Sequence, residues 1–371
     1  MKRRHLLEIL GLGALGINLS GCSSNCETPE FHSQKHQLGT KPIHWKLITS
    51  WPKGFPGLGT APERFAEMVN TMSGGRLQIK VYGAGEVVSA NEVFGAVEDG
   101  LAELGHTSAE YWPQERATTS FFTSIPYGLT PQEMSSWLHC GGGMKLWDKL
   151  YSEFNLKPFV GGSTGVQMAG WFNRKIETVD DLNGLKMHIP GLGSKVLQKL
   201  GGIPVNVASN DLFTALKSGQ IDACEWLGPW NDMAFGFYKV AQYYYYPGWH
   251  EPSAMLELVI NLEQWQALPA DLKIIVETAA KANHLAMLDE YTARNKRALQ
   301  QLKTDHNVNI LKLPDDVLKQ LRTTADQVVQ ETVQGNSKAI LPVYESFQQF
   351  AKHVVEYHRV SEMAYYNARL L

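Results

Sequence analysis

The sequence predicts an α/β protein built as two lobes of similar construction, with a long helix at the C-terminus. Strand and helix patterns alternate along most of the chain, and one helix, glycine, strand unit occurs twice, at residues 96–104 and 215–223. The 371 residues are 44% hydrophobic and 19% charged, which is enough apolar material for two cores. Because this unit is also common in other α/β proteins, chance is the alternative explanation of the repeat.

The first half of the chain gives its elements in order. Residues 44–51 alternate apolar and polar side chains, which predicts a strand. Thr60-Ala61-Pro62-Glu63 predicts a helix start, because threonine and glutamate form a capping box and proline suits the first turn. Residues 77–81 alternate again, and Ser89-Ala90-Asn91-Glu92 is a second capping box. This βαβ alternation predicts parallel sheets flanked by helices.

Later elements lead to an aromatic C-terminus. Residues 256–261 have a strand pattern, and Pro269-Ala270-Asp271 begins a helix that runs toward Lys303. Residues 337–371 are helical in pattern, and their apolar surface must dock on the body of the protein or on a second copy. Docking on the same chain is the commoner outcome, and a homodimer is the alternative. The rings of this segment are Tyr344, Phe347, Phe350, Tyr357, Tyr365 and Tyr366.

The N-terminus predicts export to the periplasm. Lys2-Arg3-Arg4 precedes an uncharged run at residues 9–19, which is the pattern of an export signal and is too short to span a bilayer. Leu19-Ser20-Gly21-Cys22 resembles a bacterial lipobox, whose cysteine is acylated, so we expect membrane contact only through a lipid anchor at Cys22. The paired arginines are also similar to a twin-arginine signal, so the export route stays open. The alternative is a buried N-terminal helix.

These features divide the chain into five parts. A signal peptide and a tether precede two discontinuous lobes. The predicted parts are a signal peptide at 1–21, a tether at 22–40, lobe I at 41–160 plus about 252–310, lobe II at 161–251 plus part of 311–336, and a C-terminal helix at 337–371 for docking or dimerisation.

Composition and motifs exclude several classes. A formal charge of −3 without a basic patch gives no indication of nucleic-acid binding. Apart from Cys22, the cysteines Cys26, Cys140 and Cys224 are odd in number and lack metal-site spacing, so we expect no disulfide framework. The dinucleotide-like pattern at residues 11–16 lies inside the signal and has no strand before it.

One enzyme motif lies near the middle of the chain. Gly161-Gly162-Ser163-Thr164-Gly165 fits the nucleophile elbow of serine hydrolases. The residues after it, 167–172, have a strand pattern where that motif requires a helix. We therefore predict a protein that is not an enzyme, and we keep a secreted serine hydrolase using Ser163 as an alternative. A structural or adhesive lipoprotein that binds no small molecule is a further alternative.

The segment from residue 224 to residue 251 predicts a binding site. Glu225 and Trp226 follow a strand pattern, and Glu251 follows four consecutive tyrosines at residues 243–246. Carboxylates set among rings suit a small polar ligand or a hard cation, because the rings exclude water and the oxygens hold the ion. The alternative is a tyrosine-rich core segment with both glutamates solvated.

Four motifs together resemble one family. They are GGSTGVQMAGWF at 161–172, GLKM at 184–187, GQIDACEW at 219–226 and YYYYPGW at 243–249. In this order they resemble the extracytoplasmic solute receptors of TRAP transporters, and most closely the branch that binds 2-oxo acids. The resemblance implies a periplasmic-binding-protein-like fold whose cleft lies between two lobes and closes on a small organic anion. It also implies a bridging metal cation and delivery of the anion to the TRAP membrane permease subunits.

The resemblance implies roles for individual residues. Gln167 would bind the anion through its amide, and Glu225 would contact both the substrate and the cation. Glu110 and Tyr111 follow the first copy of the repeat and would reach the substrate from the first lobe, although the family often has tyrosine where Glu110 stands. The implied cation is Na⁺, with Ca²⁺ as the alternative. Its ligands would be Glu225, the backbone oxygen of Trp226, and Glu251.

At His188 the sequence departs from the family, which usually has an arginine there to clamp the ligand carboxylate. Histidine lacks that fixed pair of donors and is charged only conditionally. Two glutamates and a monoanionic ligand would then lack a permanent positive partner, which favours a divalent ion, a protonated His188 or help from Arg174. We expect His188 to donate a hydrogen bond to the ligand carboxylate.

Ligand size is bounded by rings and by charge. Trp226, Trp249 and Tyr246 would crowd the cleft, and a single carboxylate clamp suits a monoacid. We therefore expect pyruvate or a slightly longer 2-oxo monocarboxylate. Receptors for 2-hydroxy acids or C4-dicarboxylates are the alternatives, because a cation accepts a carbonyl or a hydroxyl oxygen alike.

Overall fold

The computed structural model describes residues 41–111, 114–335 and 337–371. The predicted signal peptide, the lipid anchor at Cys22 and the tether lie outside the described residues. Among the described helices, none combines the length and the apolar character needed to cross a bilayer.

Strands and helices alternate over most of the chain. The strands are β1 (Ile43–Thr49), β2 (Leu77–Tyr82), β3 (Leu104–Thr107), β4 (Leu156–Ser163), β5 (Gly170–Phe172), β6 (Lys186–His188), β7 (Ile203–Pro204), β8 (Ala223–Cys224), β9 (Tyr243–Tyr246), β10 (Met255–Asn261) and β11 (Asn309–Lys312). The α-helices are α1 (Thr60–Met72), α2 (Val93–Glu98), α3 (Pro131–Cys140), α4 (Gly143–Ser152), α5 (Gly191–Lys199), α6 (Leu212–Ser218), α7 (Pro229–Phe235), α8 (Leu262–Ala267), α9 (Ala270–Thr304), α10 (Asp315–Gly335), α11 (Ser337–Val360) and α12 (Glu362–Arg369).

The first sheet has five strands in the order β2-β1-β3-β10-β4. β1 pairs in parallel with β2 and β3, whereas β10 runs antiparallel to both β3 and β4. All seven residues of β10 are buried. The prediction of parallel sheets is therefore wrong for this strand, because the chain returns from the second sheet into β10 instead of making a local βαβ crossover.

The second sheet has six short strands in the order β11-β9-β5-β8-β6-β7. β5 is antiparallel to β8 and β9, and the remaining pairs are parallel. At its centre Trp171 and Tyr244 face each other across β5 and β9, with ring centroids 4.1 Å apart and nearly parallel planes. Stacked rings of this kind bury a large apolar area and fix the register of the two strands.

Helix α9 packs against both sheets. Leu272 and Val276, near its start, belong to the core of the first sheet, together with Trp45 and Phe65. Leu302, near its end, belongs to the core of the second sheet. At 1.5 Å per residue this 35-residue helix is about 50 Å long, so one rigid element joins the two cores.

The two predicted helix starts have different outcomes. The capping box at Ser89 is present, with its backbone N–H and hydroxyl both donating to the Glu92 carboxylate. The capping box at Thr60 is wrong, because the N-cap is Gly59 and Thr60 is already helical. Backbone carbonyls of the preceding turn accept the first amides, among them that of Thr60, which donates to Phe55, so no hydroxyl cap is needed there.

Both copies of the helix, glycine, strand repeat adopt the same local form. α2 is followed by Gly100 and β3, and α6 is followed by Gly219 and β8. The two glycines have φ of 76° and 75°, a conformation that side chains with a Cβ rarely adopt. The residues that follow β3 therefore occupy the same place in this local structure as the residues that follow β8.

The C-terminal segment docks on its own chain over part of its length. Phe347 of α11 makes edge-to-face contacts with Phe121 and Trp137, and Trp137 Nε1 donates to Ser346 Oγ at 3.1 Å. Farther along, His358 of α11 contacts the buried Glu133 of α3. The exposed large apolar side chains after Phe347 are Val355, Tyr357, Val360, Met363, Tyr365, Tyr366, Leu370 and Leu371.

Candidate functional site

Three glutamates from distant parts of the chain meet between the two sheets. Glu110 lies in a short 3₁₀ turn after β3, Glu225 follows β8 directly, and Glu251 lies in the loop after β9. A side-chain hydrogen bond joins Glu110 to Glu251. Burial, followed by the charges of Glu251 and Glu110, raises the pKa of Glu225 well above its usual range. The structure thus brings together carboxylates that the sequence places 141 residues apart at most.

Backbone contacts explain how Glu225 reaches this position. β8 pairs with β6, and the Glu225 N–H continues that pairing by donating to the His188 carbonyl at 2.9 Å. The Cys224 thiol donates to the Glu225 carbonyl at 3.0 Å. The glutamate is therefore fixed at the carboxyl end of its strand, where ligands collect in open α/β sheets.

Gln167 and Glu251 are connected both by side chain and by backbone. Gln167 Nε2 donates to Glu251 Oε2 at 3.1 Å, and the Gly248 N–H donates to the Gln167 carbonyl at 3.0 Å. A Cβ at position 248 would lie only 2.4 Å from that carbonyl oxygen, so the close approach requires glycine. The predicted amide ligand and the predicted cation ligand are neighbours.

The electrostatics of this cluster call for a positive partner or for protons. Burial is the largest effect on the pKa of Glu251, which is raised well above its usual range, and the Glu110 charge adds to the rise. Burial also raises the pKa of Glu110, although hydrogen bonds with Glu251 and Ser108 oppose that rise. Because water is largely excluded, three ionised carboxylates are costly here unless a cation compensates them.

Several buried polar atoms at this site lack a hydrogen-bond partner among the described residues. Buried polar groups are nearly always paired, so their concentration at one place indicates a site that a ligand completes. The atoms are Glu110 Oε2, Gln167 Oε1, Glu225 Oε1, Trp226 Nε1, His250 Nδ1 and His250 Nε2.

The donor set fits a hard cation. Within the described residues, no group of three or more His, Cys, Asp or Glu side chains is arranged as a complete metal site. The predicted ligand set is different, because it combines Glu225 and Glu251 with the backbone oxygen of Trp226. Carboxylate, amide and carbonyl oxygens are the ligands that Ca²⁺ and Na⁺ take, and a bound anion would complete the shell.

Tyr111 lies at the edge of the cluster. Burial, followed by the charges of Glu110, Glu251 and Glu225, raises the pKa of its phenol well above 10. The phenol therefore stays protonated at neutral pH and can donate a hydrogen bond. Its ring packs against Trp51, with centroids 5.7 Å apart.

A buried histidine holds Trp51 in place. Trp51 Nε1 donates to His106 Nδ1 at 3.0 Å, and His106 Nε2 lies 3.2 Å from the Gly161 carbonyl, to which it donates. Burial lowers the pKa of His106 to about 4, so the ring is neutral and its tautomer is fixed by these two contacts. No sequence pattern assigns Trp51 or His106 to the site, because their contacts are made across the first sheet.

His188 contacts the backbone of residues 205 and 207. Its Nδ1 lies 3.3 Å from the Val205 carbonyl and 3.4 Å from the Val207 N–H, and burial lowers its pKa. Its described link to the cluster is the backbone bond to Glu225. Arg174 is exposed, and its guanidinium donates to the carbonyls of Asp181 and Asn183. Arg174 is therefore occupied elsewhere.

The aromatic residues differ in their relation to the site. Trp226 is half-buried and packs edge-to-face on Phe235 at 5.2 Å, and Trp249 is buried beside His250. Tyr246, in contrast, is 41% exposed on β9. His250 is fully buried, and its Nε2 lies 3.5 Å from Glu225 Oε1. Its place between Trp249 and Glu251 is visible in the sequence, but no spacing rule gives it a role.

Ser163 is not placed as a nucleophile. It is the last residue of β4, its side chain is fully buried, and its Oγ accepts a hydrogen bond from the Gly165 N–H at 3.2 Å. A segment without helix and then β5 follow, where a nucleophile elbow requires a helix. The hydrolase alternative loses its structural basis.

Two sheet cores, with buried acids, an amide and aromatic rings converging between them, define a receptor for small solutes. The chain belongs to the DctP family, the bacterial extracellular solute-binding proteins of family 7, whose model matches residues 48–336. It is a solute receptor of the TRAP transporter type, and the resemblance seen in its motifs is confirmed. The family is a periplasmic transport family and not a family of enzymes.

Relatives with known ligands are similar over nearly the whole chain. The monocarboxylate 2-oxoacid-binding periplasmic protein of Nostoc sp. is 36% identical over 370 residues, which are 99% of this chain and 98% of that protein. A TRAP periplasmic solute-binding protein from Colwellia psychrerythraea, with bound calcium and pyruvate, is 36% identical with a TM-score of 0.86, covering 88% of this chain and 100% of that one. One from Pseudoalteromonas atlantica, with bound sodium and pyruvate, is 38% identical with a TM-score of 0.84, covering 88% and 99%.

Proposed function

We propose that this receptor captures a 2-oxo monocarboxylate such as pyruvate together with a metal cation, and delivers it to a TRAP membrane permease. The observation that carries the proposal is the buried cluster of Glu110, Glu225 and Glu251, whose pKa values are all raised and which includes oxygens without partners. Such a cluster is costly when empty, and binding of a cation with its anion removes that cost.

Glu225, Glu251 and the backbone oxygen of Trp226 would hold the cation. When bound, the cation would supply the positive charge that His188 and Arg174 do not, and it would offset the charges of the glutamates and of the organic anion. Three buried carboxylates and a monoanion favour a divalent ion, so we propose Ca²⁺ over Na⁺. The relatives with either ion support a site that tolerates both.

The remaining groups would bind the organic anion. Tyr111 supplies a phenol O–H and Gln167 an amide, and the indoles of Trp226 and Trp249 limit the space for a longer or doubly charged ligand. His188 reaches the ligand in this proposal only indirectly, by fixing the backbone of Glu225. A monocarboxylate is favoured over a C4-dicarboxylate because a second carboxylate would add another charge to an already acidic cleft.

We infer that each sheet is the core of one lobe, with the boundaries given above. Glu110 and Tyr111 would come from lobe I, and Gln167, Glu225 and Glu251 from lobe II. The hydrogen bond between Glu110 and Glu251 supports a closed arrangement in which both lobes contribute to one shell. Rotation of the lobes about their connections would admit and release the ligand.

The experiment is calorimetric titration of protein stripped of metal and ligand. Pyruvate, lactate and succinate are titrated in the presence of calcium, of sodium and of a chelator. The expected result is tight pyruvate binding with calcium, weaker binding with sodium, and none with chelator. Glu225→Gln should abolish binding, whereas Glu177→Gln, at an exposed position, should not change it. Preference for succinate, or binding that needs no cation, would refute the proposal.

The proposal also includes a homodimer and a lipid anchor. We infer that a second copy covers the exposed rings around Tyr357, Met363, Tyr365 and Tyr366, because an apolar surface of this kind is rarely left in water. Sedimentation of wild type and of the double variant Tyr365→Ser, Tyr366→Ser tests this: a monomeric wild type would refute it.

Lipid anchoring at Cys22 is tested by metabolic labelling with palmitate, which Cys22→Ser should abolish.

A further inference from the structure

His250 combines complete burial with unused hydrogen-bonding capacity. Its side chain is 0% exposed, and neither ring nitrogen has a hydrogen-bond partner among the described residues. Burying an imidazole without partners costs free energy, since both nitrogens lose their hydrogen bonds to water. A phenylalanine of similar size would fill the same space without that cost. The polar ring therefore needs an explanation beyond packing.

The nearest polar atom given for the ring belongs to the binding site. His250 Nε2 lies 3.5 Å from Glu225 Oε1, and that oxygen is also buried and without a hydrogen-bond partner among the described residues. The distance exceeds the usual 2.7–3.2 Å of an N–H···O bond, but bonds around functional sites are often long before the ligand binds and shorten in the complex. An unused donor thus faces an unused acceptor.

The ring has little freedom to turn elsewhere. Trp249 packs edge-to-face against it, with centroids 5.4 Å apart. The His250 Cβ, from which the ring extends, packs on Gly193 of α5, where an added Cβ would lie 3.0 Å from it. An imidazole has at least one ring N–H in either tautomer and also when protonated, so His250 can always donate one hydrogen bond.

We propose that His250 is a positioning residue for Glu225: its ring donates the Nε2–H to Glu225 Oε1 and so leaves the other carboxylate oxygen to face the cation and the organic anion. This inference rests on the proposed function, since it assigns a support to one ligand of that site. Hydrogen bonds from a second layer of residues commonly orient a metal-binding carboxylate in this way. Losing such a partner typically weakens metal binding by about 10–100-fold.

The test compares two substitutions that separate the donor from the ring. His250→Phe keeps an aromatic ring of similar size and removes the N–H, whereas His250→Gln keeps an N–H donor. His306→Phe, at an exposed histidine, is the matched control. Calcium affinity is measured by calorimetry without organic acid, pyruvate affinity is measured with calcium saturating, and the melting temperature is measured with chelator.

The expected result is that His250→Phe weakens calcium and pyruvate binding by about 10–100-fold while its melting temperature with chelator equals or exceeds that of the wild type. His250→Gln should recover most of the affinity. Unchanged affinity in His250→Phe would overturn the inference, and so would a parallel loss of affinity and melting temperature that His250→Gln does not relieve. A wild type that binds calcium but no 2-oxo acid would refute the proposed ligand, and the calcium data would still decide the role of His250.

Discussion

Replacing Glu251 by glutamine should make the ligand-free receptor more stable and less able to bind its cation. Glu251 is buried, accepts a hydrogen bond from Gln167 Nε2 and is joined to Glu110. A glutamine has nearly the same shape, and its carbonyl oxygen can still accept from Gln167. The substitution removes the charge while it keeps most of the packing, so binding and stability should change in opposite directions.

The sign of the pH dependence follows from the raised pKa of Glu251. Folding raises the pKa of this carboxyl above its ordinary 4.5. Its contribution to stability is therefore fully present below about pH 4.5 and is lost as the pH rises through the raised pKa. With chelator present, Glu251→Gln should therefore melt above the wild type at about pH 7.5, and the difference should shrink toward about pH 4.5.

The cation gives the size of the opposite effect. Calcium at 100 times its dissociation constant stabilises the wild type by about 2.7 kcal/mol. For about 330 folded residues with an unfolding entropy of about 2.1 cal/mol/K each, this corresponds to about 4 °C in melting temperature. In Glu251→Gln the same calcium concentration should give less than about 1 °C, which is roughly 40-fold weaker binding.

Differential scanning fluorimetry gives four melting temperatures for each protein, with calcium and with chelator at each of the two pH values. Glu177→Gln is the control and should behave as the wild type, because that side chain is exposed. If Glu251→Gln keeps the full calcium shift, or melts below the wild type in chelator at neutral pH, the assignment of Glu251 as a costly buried cation ligand is wrong.

Three further predictions concern the surroundings of the cluster. Burial raises the pKa of Asp232 from 3.8 to about 6. In urea unfolding, the free energy of unfolding of Asp232→Asn should therefore rise by up to roughly 3 kcal/mol relative to that of the wild type as the pH rises through that interval, and no relative rise would contradict this. Gly248→Ala should lower both stability, by about 1–3 kcal/mol, and pyruvate affinity, because its methyl group would meet the carbonyl of Gln167; wild-type binding would show that the loop can yield. Trp51→Phe should cost about 1–3 kcal/mol, because His106 Nδ1 loses its donor, and equal urea midpoints for the two proteins would refute this.

The features that could be predicted from the sequence are those encoded by local patterns. The capping box at Ser89 lies within four consecutive residues, and the glycines of the repeat, Gly100 and Gly219, require only their own φ. Glu225 and Glu251 stand out because acids follow strand patterns among rings, and the motifs around them identify the family. Whether they bind the cation and the anion stays a prediction.

The features that could not be predicted depend on contacts between distant segments. The antiparallel direction of β10 is set by the path of the chain through the second sheet, which no pattern in its own seven residues contains. Gly59 replaces Thr60 as N-cap because carbonyls of the preceding turn accept the first amides. The relations of His106 to Trp51 and of His250 to Glu225 cross 55 and 25 residues, respectively, and appear only when the sheets are assembled.

Helix α9 limits the ways in which the two cores can separate. Leu272 is seated in one core and Leu302 in the other, about 45 Å apart along a single helix at 1.5 Å per residue. Withdrawing either leucine from its core would cost about 1.5–3 kcal/mol of apolar burial, so thermal motion rarely displaces either end of the helix. The separation of the two cores along the helix axis is therefore nearly constant. The low-energy motions that remain are rotation of one core relative to the other about this axis and slight bending of the helix.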